Sequence, residues 1–346
     1  MSSVLVVAPS WIGDALLAQP LLRRLHQKLG PIRLDVLAPP WCAPLLARMP
    51  EVEEVILSPF AHGELKLRQR WELGRRLAPR KYDQALVLPN SFKSALIPFF
   101  ADIPLRAGYA GEFRYGLLNL VHKLDAKRLP LMCERYAQLA EAPGDTLALP
   151  LPQVRLQVDP VNTARTTARL GLDRSRPVAA LCPGAEYGPA KRWPARHFAA
   201  LADELAQRGH AVWLIGSEKD AQFAQEIGAL SKAACVNLCG KTDLTAAIDL
   251  LGCARLVVSN DSGLMHVAAA LNKPLVALYG SSSPEHTPPL TLATQPGTTR
   301  IAKLDLECNP CYARSCPLGH FNCMNDLSPQ RVLAEIEAMR FGSADG

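Results

Sequence analysis

The chain alternates two kinds of pattern. Short, mostly apolar runs recur at residues 4–8, 34–37, 55–57, 84–88, 178–181, 212–215, 236–238, 256–258 and 275–278. Gly, Pro, Ser, Asn or Asp bounds most of them. Runs this short and apolar on both faces predict buried strands of parallel sheet. Longer stretches with apolar positions at helical spacing lie between them, at 15–29, 41–48, 64–78, 91–100, 133–142, 195–208, 220–230, 242–253 and 264–271. Strand and helix in alternation predict an α/β fold made of βαβ units. The clearest unit is RLVVSNDSGLMHVAAALNKPLVALYG, residues 255–280, which reads strand, turn, helix, strand.

The alternation lapses between residues 124 and 175, where Pro130, Pro143, Pro150, Pro152 and Pro160 fall. A domain boundary is therefore expected near 150–165. This divides the chain into Rossmann-like domains at 1–160 and 161–326, followed by a tail at 327–346. Ser328 and Pro329 give the start signal of a last helix over 328–341. A length of 346 residues agrees with two domains.

Composition narrows the class. Hydrophobic residues make up 49% and charged residues 20%, as in an ordinary soluble protein. No apolar run approaches the ~18 residues of a membrane span. The N-terminus, MSSVLVVAPSWIGD, has neither a basic region nor a cleavage site, so it is expected to be uncleaved and cytoplasmic. The net charge of +6 is unevenly spread: residues 66–81, KLRQRWELGRRLAPRK, hold seven Lys or Arg against one Glu. That stretch is either a solvated helix face or a contact with an anionic substrate or membrane surface. No aromatic-basic motif accompanies it, which disfavours nucleic acid. Six of the ten cysteines are scattered among apolar residues and read as small core residues.

The candidate chemistry sits where strands end. At 260–263, Ser262 or Asp261 is placed to cap the following helix, and Gly263 allows close approach to the backbone. The first helical turn is a natural seat for a phosphate, and His266 lies one turn on. Asp14 stands at the start of the first helix, on the edge where open α/β sheets bind ligands. The turn before it has one Gly and no dinucleotide fingerprint. Gly184, Ala185 and Glu186 follow another strand, and Gly216, Gly240 and Gly280 mark three more ends on the same edge. Glu218 or Asp220 is placed to hold ribose hydroxyls. Arg106 and Arg114 lie near strand ends where a substrate is gripped, or are surface charges. Cys308, Cys311, Cys316 and Cys323, with His320 among them, have a spacing that allows a structural zinc. Free thiols are the alternative, and disulfides are disfavoured in the cytosol.

Three stretches carry a resemblance: PSWIGDALLAQPL (9–21), PGAEYGPAKRWP (183–194) and SNDSGLMHVAAALNKPLVALYG (259–280). They resemble the bacterial heptosyltransferases of glycosyltransferase family 9, and the likeness runs from residue 4 to about 289 and again over the last helix. The resemblance implies a GT-B architecture, two Rossmann-like parallel-sheet domains facing across a cleft. The N-terminal domain would take the acceptor, the C-terminal domain ADP-heptose, and the closing helix would pack back toward the first domain. It implies inverting transfer of L-glycero-D-manno-heptose onto the lipopolysaccharide inner core of a Gram-negative bacterium. Residues 88–119, LPNSFKSALIPFFADIPLRAGYAGEFRYGLLN, look like members that act on heptosyl-Kdo-lipid A. By the same resemblance Asp14 is the general base and Lys191 pairs with the phosphates. Thr242, Asp261, Ser262, Gly263 and His266 contact the donor, and no catalytic metal is needed. The acceptor would bring the protein to the cytoplasmic face of the inner membrane. Two rival readings share the scaffold: another heptosyltransferase type with a different acceptor, and a sugar-nucleotide epimerase or binding protein.

Overall fold

A computed structural model describes residues 2–61, 63–291 and 297–339. The chain divides into two compact units, Met1–Val154 and Arg155–Gly346, and passes between them inside the proline-rich stretch.

The first unit begins with β1 (Ser2–Val7), α1 (Ile12–Leu17), α2 (Gln19–Leu29), β2 (Ile32–Ala38), α3 (Ala43–Leu46) and β3 (Glu54–Leu57). It continues with α4 (Leu67–Leu77), β4 (Gln84–Val87), α5 (Leu96–Phe100), β5 (Leu105–Tyr109), β6 (Leu120–His122) and α6 (Met132–Gln138). Its strands form one parallel sheet in the order β3-β2-β1-β4-β5-β6. The chain winds outward from β1 in one direction and from β4 in the other. The loops leaving β1 and β4 therefore part at the carboxyl edge, where ligands bind in open α/β sheets. Leu5, Val7, Ala85 and Val87 are buried in the core between this sheet and its helices.

The second unit holds α7 (Pro160–Arg169), β7 (Val178–Cys182), α8 (Ala195–Gln207), β8 (Ala211–Leu214), α9 (Ala221–Leu230) and β9 (Cys235–Asn237). After these come α10 (Leu244–Cys253), β10 (Ala254–Asn260), α11 (Gly263–Ala270), β11 (Leu275–Tyr279), β12 (Thr299–Lys303), α12 (Asn322–Asn325) and α13 (Pro329–Glu337). The sheet order β12-β11-β10-β7-β8-β9 is again wholly parallel, with its switch point between β7 and β10. Helix α13 adds Val332, Leu333 and Ile336 to the core that contains Phe198 of α8 and Ala302 of β12. Ion pairs Arg300–Glu335 (2.8 Å) and Arg208–Glu337 (2.7 Å) fasten it there. Residues 340–341 of the expected 328–341 helix lie outside the described residues.

Four elements go beyond the apolar pattern. Strand β5, LRAGY, contains Gly108, where an added Cβ would lie 2.9 Å from Leu118 and 3.1 Å from the Val87 carbonyl. The glycine that makes the sequence look like a loop is what lets the neighbours close in. Strand β6 has three residues, and β12 alternates rather than running apolar. Helix α7 starts at a proline that reads as a breaker, yet Pro160 occupies the first turn, where its missing N–H costs nothing. The Asp159 carboxylate caps it, accepting from the N–H groups of Val161 (2.9 Å) and Asn162 (3.1 Å).

Candidate active site

Each unit carries candidate residues on its own carboxyl edge. In the first, a cavity of about 670 Å³ opens between the loops after β1 and β4. Ser10, Trp11 and Asp14 line one wall, and Asn90 and Lys93 line another. Asp14 lies in the first turn of α1 and is partly buried. Burial and then the Asp14 charge push the Cys42 thiol up to about 12. The same two causes push the Tyr136 phenol well above its ordinary value.

Arg114 is turned inward rather than toward a ligand. Its guanidinium donates to the carbonyls of Pro89 (2.7 Å) and Tyr109 and to Asn90 Oδ1 (3.3 Å), so it braces the cavity wall. Arg106 likewise donates to the carbonyls of Ile103 (2.5 Å) and Leu117 (2.6 Å). Both arginines support backbone instead of gripping substrate. The basic helix is also partly spent inside the unit. Arg70 is buried and donates to the carbonyls of Leu65 (2.6 Å), Glu64 (3.0 Å) and Lys93 (3.2 Å). Arg75 pairs with Asp102 (2.5 Å) and Arg80 with Glu54 (2.7 Å).

In the second unit the loops leaving β7 and β10 meet. Lys191 ends a short 3-10 turn, and its Nζ lies 2.5 Å from Asp261 Oδ2. The Ser282 hydroxyl donates to the same oxygen. Asn260, fully buried, accepts from the Trp193 N–H (3.2 Å) and donates to the Pro183 carbonyl (2.8 Å), tying the two loops together. The buried Trp193 indole donates to the Leu327 carbonyl (2.7 Å). Helix α11 starts at Gly263, and its N-cap Ser262 makes no side-chain capping bond. The expected cap by Ser262 or Asp261 is not made, because Asp261 is engaged with Lys191 and Ser282. The first amides of α11 therefore have no capping side chain. His266 is buried beside this cluster, and its pKa falls to about 4. Burial is the main cause; Lys191 adds to it and Asp261 opposes it. The imidazole is neutral at pH 7.

Gly184 packs its α-carbon on the Asp220 carboxylate, where a Cβ would lie 2.6 Å from Oδ2. Asp220 accepts from the Ser217 N–H (2.9 Å) and hydroxyl (2.7 Å) through Oδ2, which holds the loop after β8. Glu218 reaches across to Gly240, which has φ +75°. Two residues beyond Gly240, the buried Thr242 hydroxyl has no hydrogen-bond partner.

The structure thus brings Lys191, Asp261 and His266 together at the start of α11. Sequence reasoning missed Ser282 and the clamp formed by Asn260 and Trp193. The run Gly280-Ser281-Ser282-Ser283 at a strand end was the available signal for the first. The four clustered cysteines are free thiols, with Cys308 and Cys311 exposed. Among the described residues no group of three or more His, Cys, Asp or Glu side chains is arranged to hold a metal ion. Their environments differ. Backbone N–H groups, chiefly that of Phe321, lower the Cys316 pKa, while burial and the neighbouring thiols raise Cys323 to about 11.

Two Rossmann-like units, one with Asp14 in a strand-end cavity and the other with the Lys191–Asp261 pair at its strand ends, fit the architecture of a nucleotide-sugar glycosyltransferase. The sequence profile of glycosyltransferase family 9 (heptosyltransferase) matches residues 70–322. The chain is similar to lipopolysaccharide heptosyltransferase 2 of Escherichia coli strain K12, with 47% identity over 97% of this chain and 98% of the relative. The solved structure of E. coli ADP-heptose LPS heptosyltransferase II superposes with a TM-score of 0.87, at 46% identity and 98% coverage of both chains. Lipopolysaccharide heptosyltransferase 1 of Pseudomonas aeruginosa is more distant, at 26% identity over 97% of each chain. The chain belongs to glycosyltransferase family 9 and is a glycosyltransferase.

Proposed function

We propose that this enzyme transfers heptose from ADP-heptose to the first heptose of the lipopolysaccharide inner core, with inversion at the anomeric carbon. The observation that carries this is the Lys191–Asp261–Ser282 cluster at the uncapped start of α11, supported by strong similarity to a heptosyltransferase 2. The acceptor hydroxyl attacks the anomeric carbon, and Asp14 takes its proton. The bond from that carbon to the diphosphate oxygen breaks, and ADP leaves with the electron pair. Lys191 and the first amides of α11 stabilise its charge. Thr242, Ser262, Gly263 and the neutral His266 complete the donor contacts, and Gly184 lines the same edge. With Lys191 and the first amides of α11 facing the diphosphate, the proposed reaction calls for no metal there. Lys93 and Arg135 line the first-unit cavity and suit a phosphorylated acceptor.

No described helix is long and apolar enough to cross a membrane. The lipid-borne acceptor places the enzyme at the cytoplasmic face of the inner membrane, with the exposed Trp71 and Arg76 of α4 touching the leaflet.

The test is a transfer assay with ADP-heptose and EDTA, offering heptosyl-Kdo-lipid A and Kdo-lipid A separately. Product is expected only on the heptosylated acceptor, and Asp14→Asn lowers turnover by at least ~100-fold while ADP-heptose still binds. Product on Kdo-lipid A alone moves the assignment to the first transfer, and full activity of Asp14→Asn removes the base.

A further inference from the structure

We propose that Arg314 is a second cationic contact for the donor diphosphate, acting beside Lys191. The inference rests on the reading above, in which the loops after β7 and β10 hold ADP-heptose. Arg314 comes from the irregular segment that joins β12 to α12. That segment is pinned to the lysine loop. The Ala190 N–H donates to the Arg314 carbonyl (3.0 Å), and the Tyr187 hydroxyl to the Tyr312 carbonyl (2.8 Å). The Tyr312 N–H donates to the carbonyl of Ser281 (2.7 Å), the residue before Ser282. Gly188 sits so close that a Cβ there would collide with the Arg314 carbonyl.

The backbone is thus fixed against the donor loop, and the exposed side chain follows it. The Arg314 guanidinium lies 5.3 Å from the centre of the Tyr187 ring, and Lys191 Nζ lies 5.2 Å from the same ring. Both cations therefore lie against the same aromatic ring. Their charge states differ in use. Lys191 is already paired with Asp261, whereas Arg314 has no carboxylate partner among the described residues. A diphosphate arriving at Lys191 meets a half-compensated charge, and Arg314 supplies the uncompensated one. Its planar fork suits two phosphate oxygens.

The experiment compares ADP and adenosine binding to the full-length wild type, Arg314→Met and Arg314→Lys by calorimetry. Arg314→Met is expected to bind ADP about tenfold more weakly and adenosine within about threefold of wild type. Arg314→Lys is expected to recover most of the ADP affinity. Wild-type ADP affinity in Arg314→Met overturns the proposal. So do equal losses for ADP and adenosine without rescue by lysine, which would mark a purely structural role. A wild type that binds UDP but not ADP overturns the donor assignment itself, which separates the two failures.

Discussion

His266 shows how a single side chain reports its surroundings. In an unfolded chain its imidazole takes up a proton near 6.5; in the folded protein it resists until about 4. Acid therefore favours the unfolded state, and the group's contribution is full above about 6.5 and is lost as the pH falls toward 4. The loss is on the order of 3 kcal/mol at the acid end. Urea titrations at pH 7 and pH 4.5 should show a smaller fall in stability for His266→Gln than for wild type; equal falls would place the acid sensitivity elsewhere. Asp14, Asp261 and His266 drew attention in the sequence because each follows soon after a strand end, whereas Lys191 was singled out by the resemblance alone. Ser282 and Arg314 were not singled out, because their partners are distant along the chain. Lys191 lies 70 positions from Asp261, and only the parallel register of β7 with β10 makes them neighbours.

The elements were legible where the apolar pattern was dense. Every strand of the second sheet but β12 was visible, and β10–α11–β11 emerged nearly complete. Helix α4 was legible as a helix, but the use of its charges was not. The partners of Arg75 and Arg80 lie at Asp102 and on β3, and those of Arg70 are carbonyls beyond the helix. What remains outward is a stripe in which Leu67 and Trp71 are each 51% exposed, with Arg76 close by. An aromatic and a leucine beside a cation suit the headgroup region of an anionic bilayer. Trp71→Ser combined with Arg76→Glu should lower sedimentation with phosphatidylglycerol vesicles by at least ~fivefold and leave ADP binding unchanged. Unchanged sedimentation would remove α4 from the contact.

At the scale of the molecule there are two units with separate cores, and the proposed mechanism divides its labour between them, with the base in one and the donor contacts in the other. The two-part organisation was legible because the alternating pattern stops and restarts around a proline-rich stretch. Hydrogen exchange with ADP tests the division. Protection should rise at residues 184–191 and 261–266 and stay unchanged at residues 9–14; protection confined to 9–14 would reverse the assignment. The Trp193 indole bond to Leu327 has a further consequence, for synthesis of the chain. The two partners are 134 positions apart, so Leu327 leaves the ribosome well after Trp193. While the ribosome is still short of that point, the sheet of the second unit lacks the anchor for its lysine loop. The lysine loop is therefore set only after residue 327 is made, and a chain truncated before it lacks both that anchor and the α13 side chains of the core.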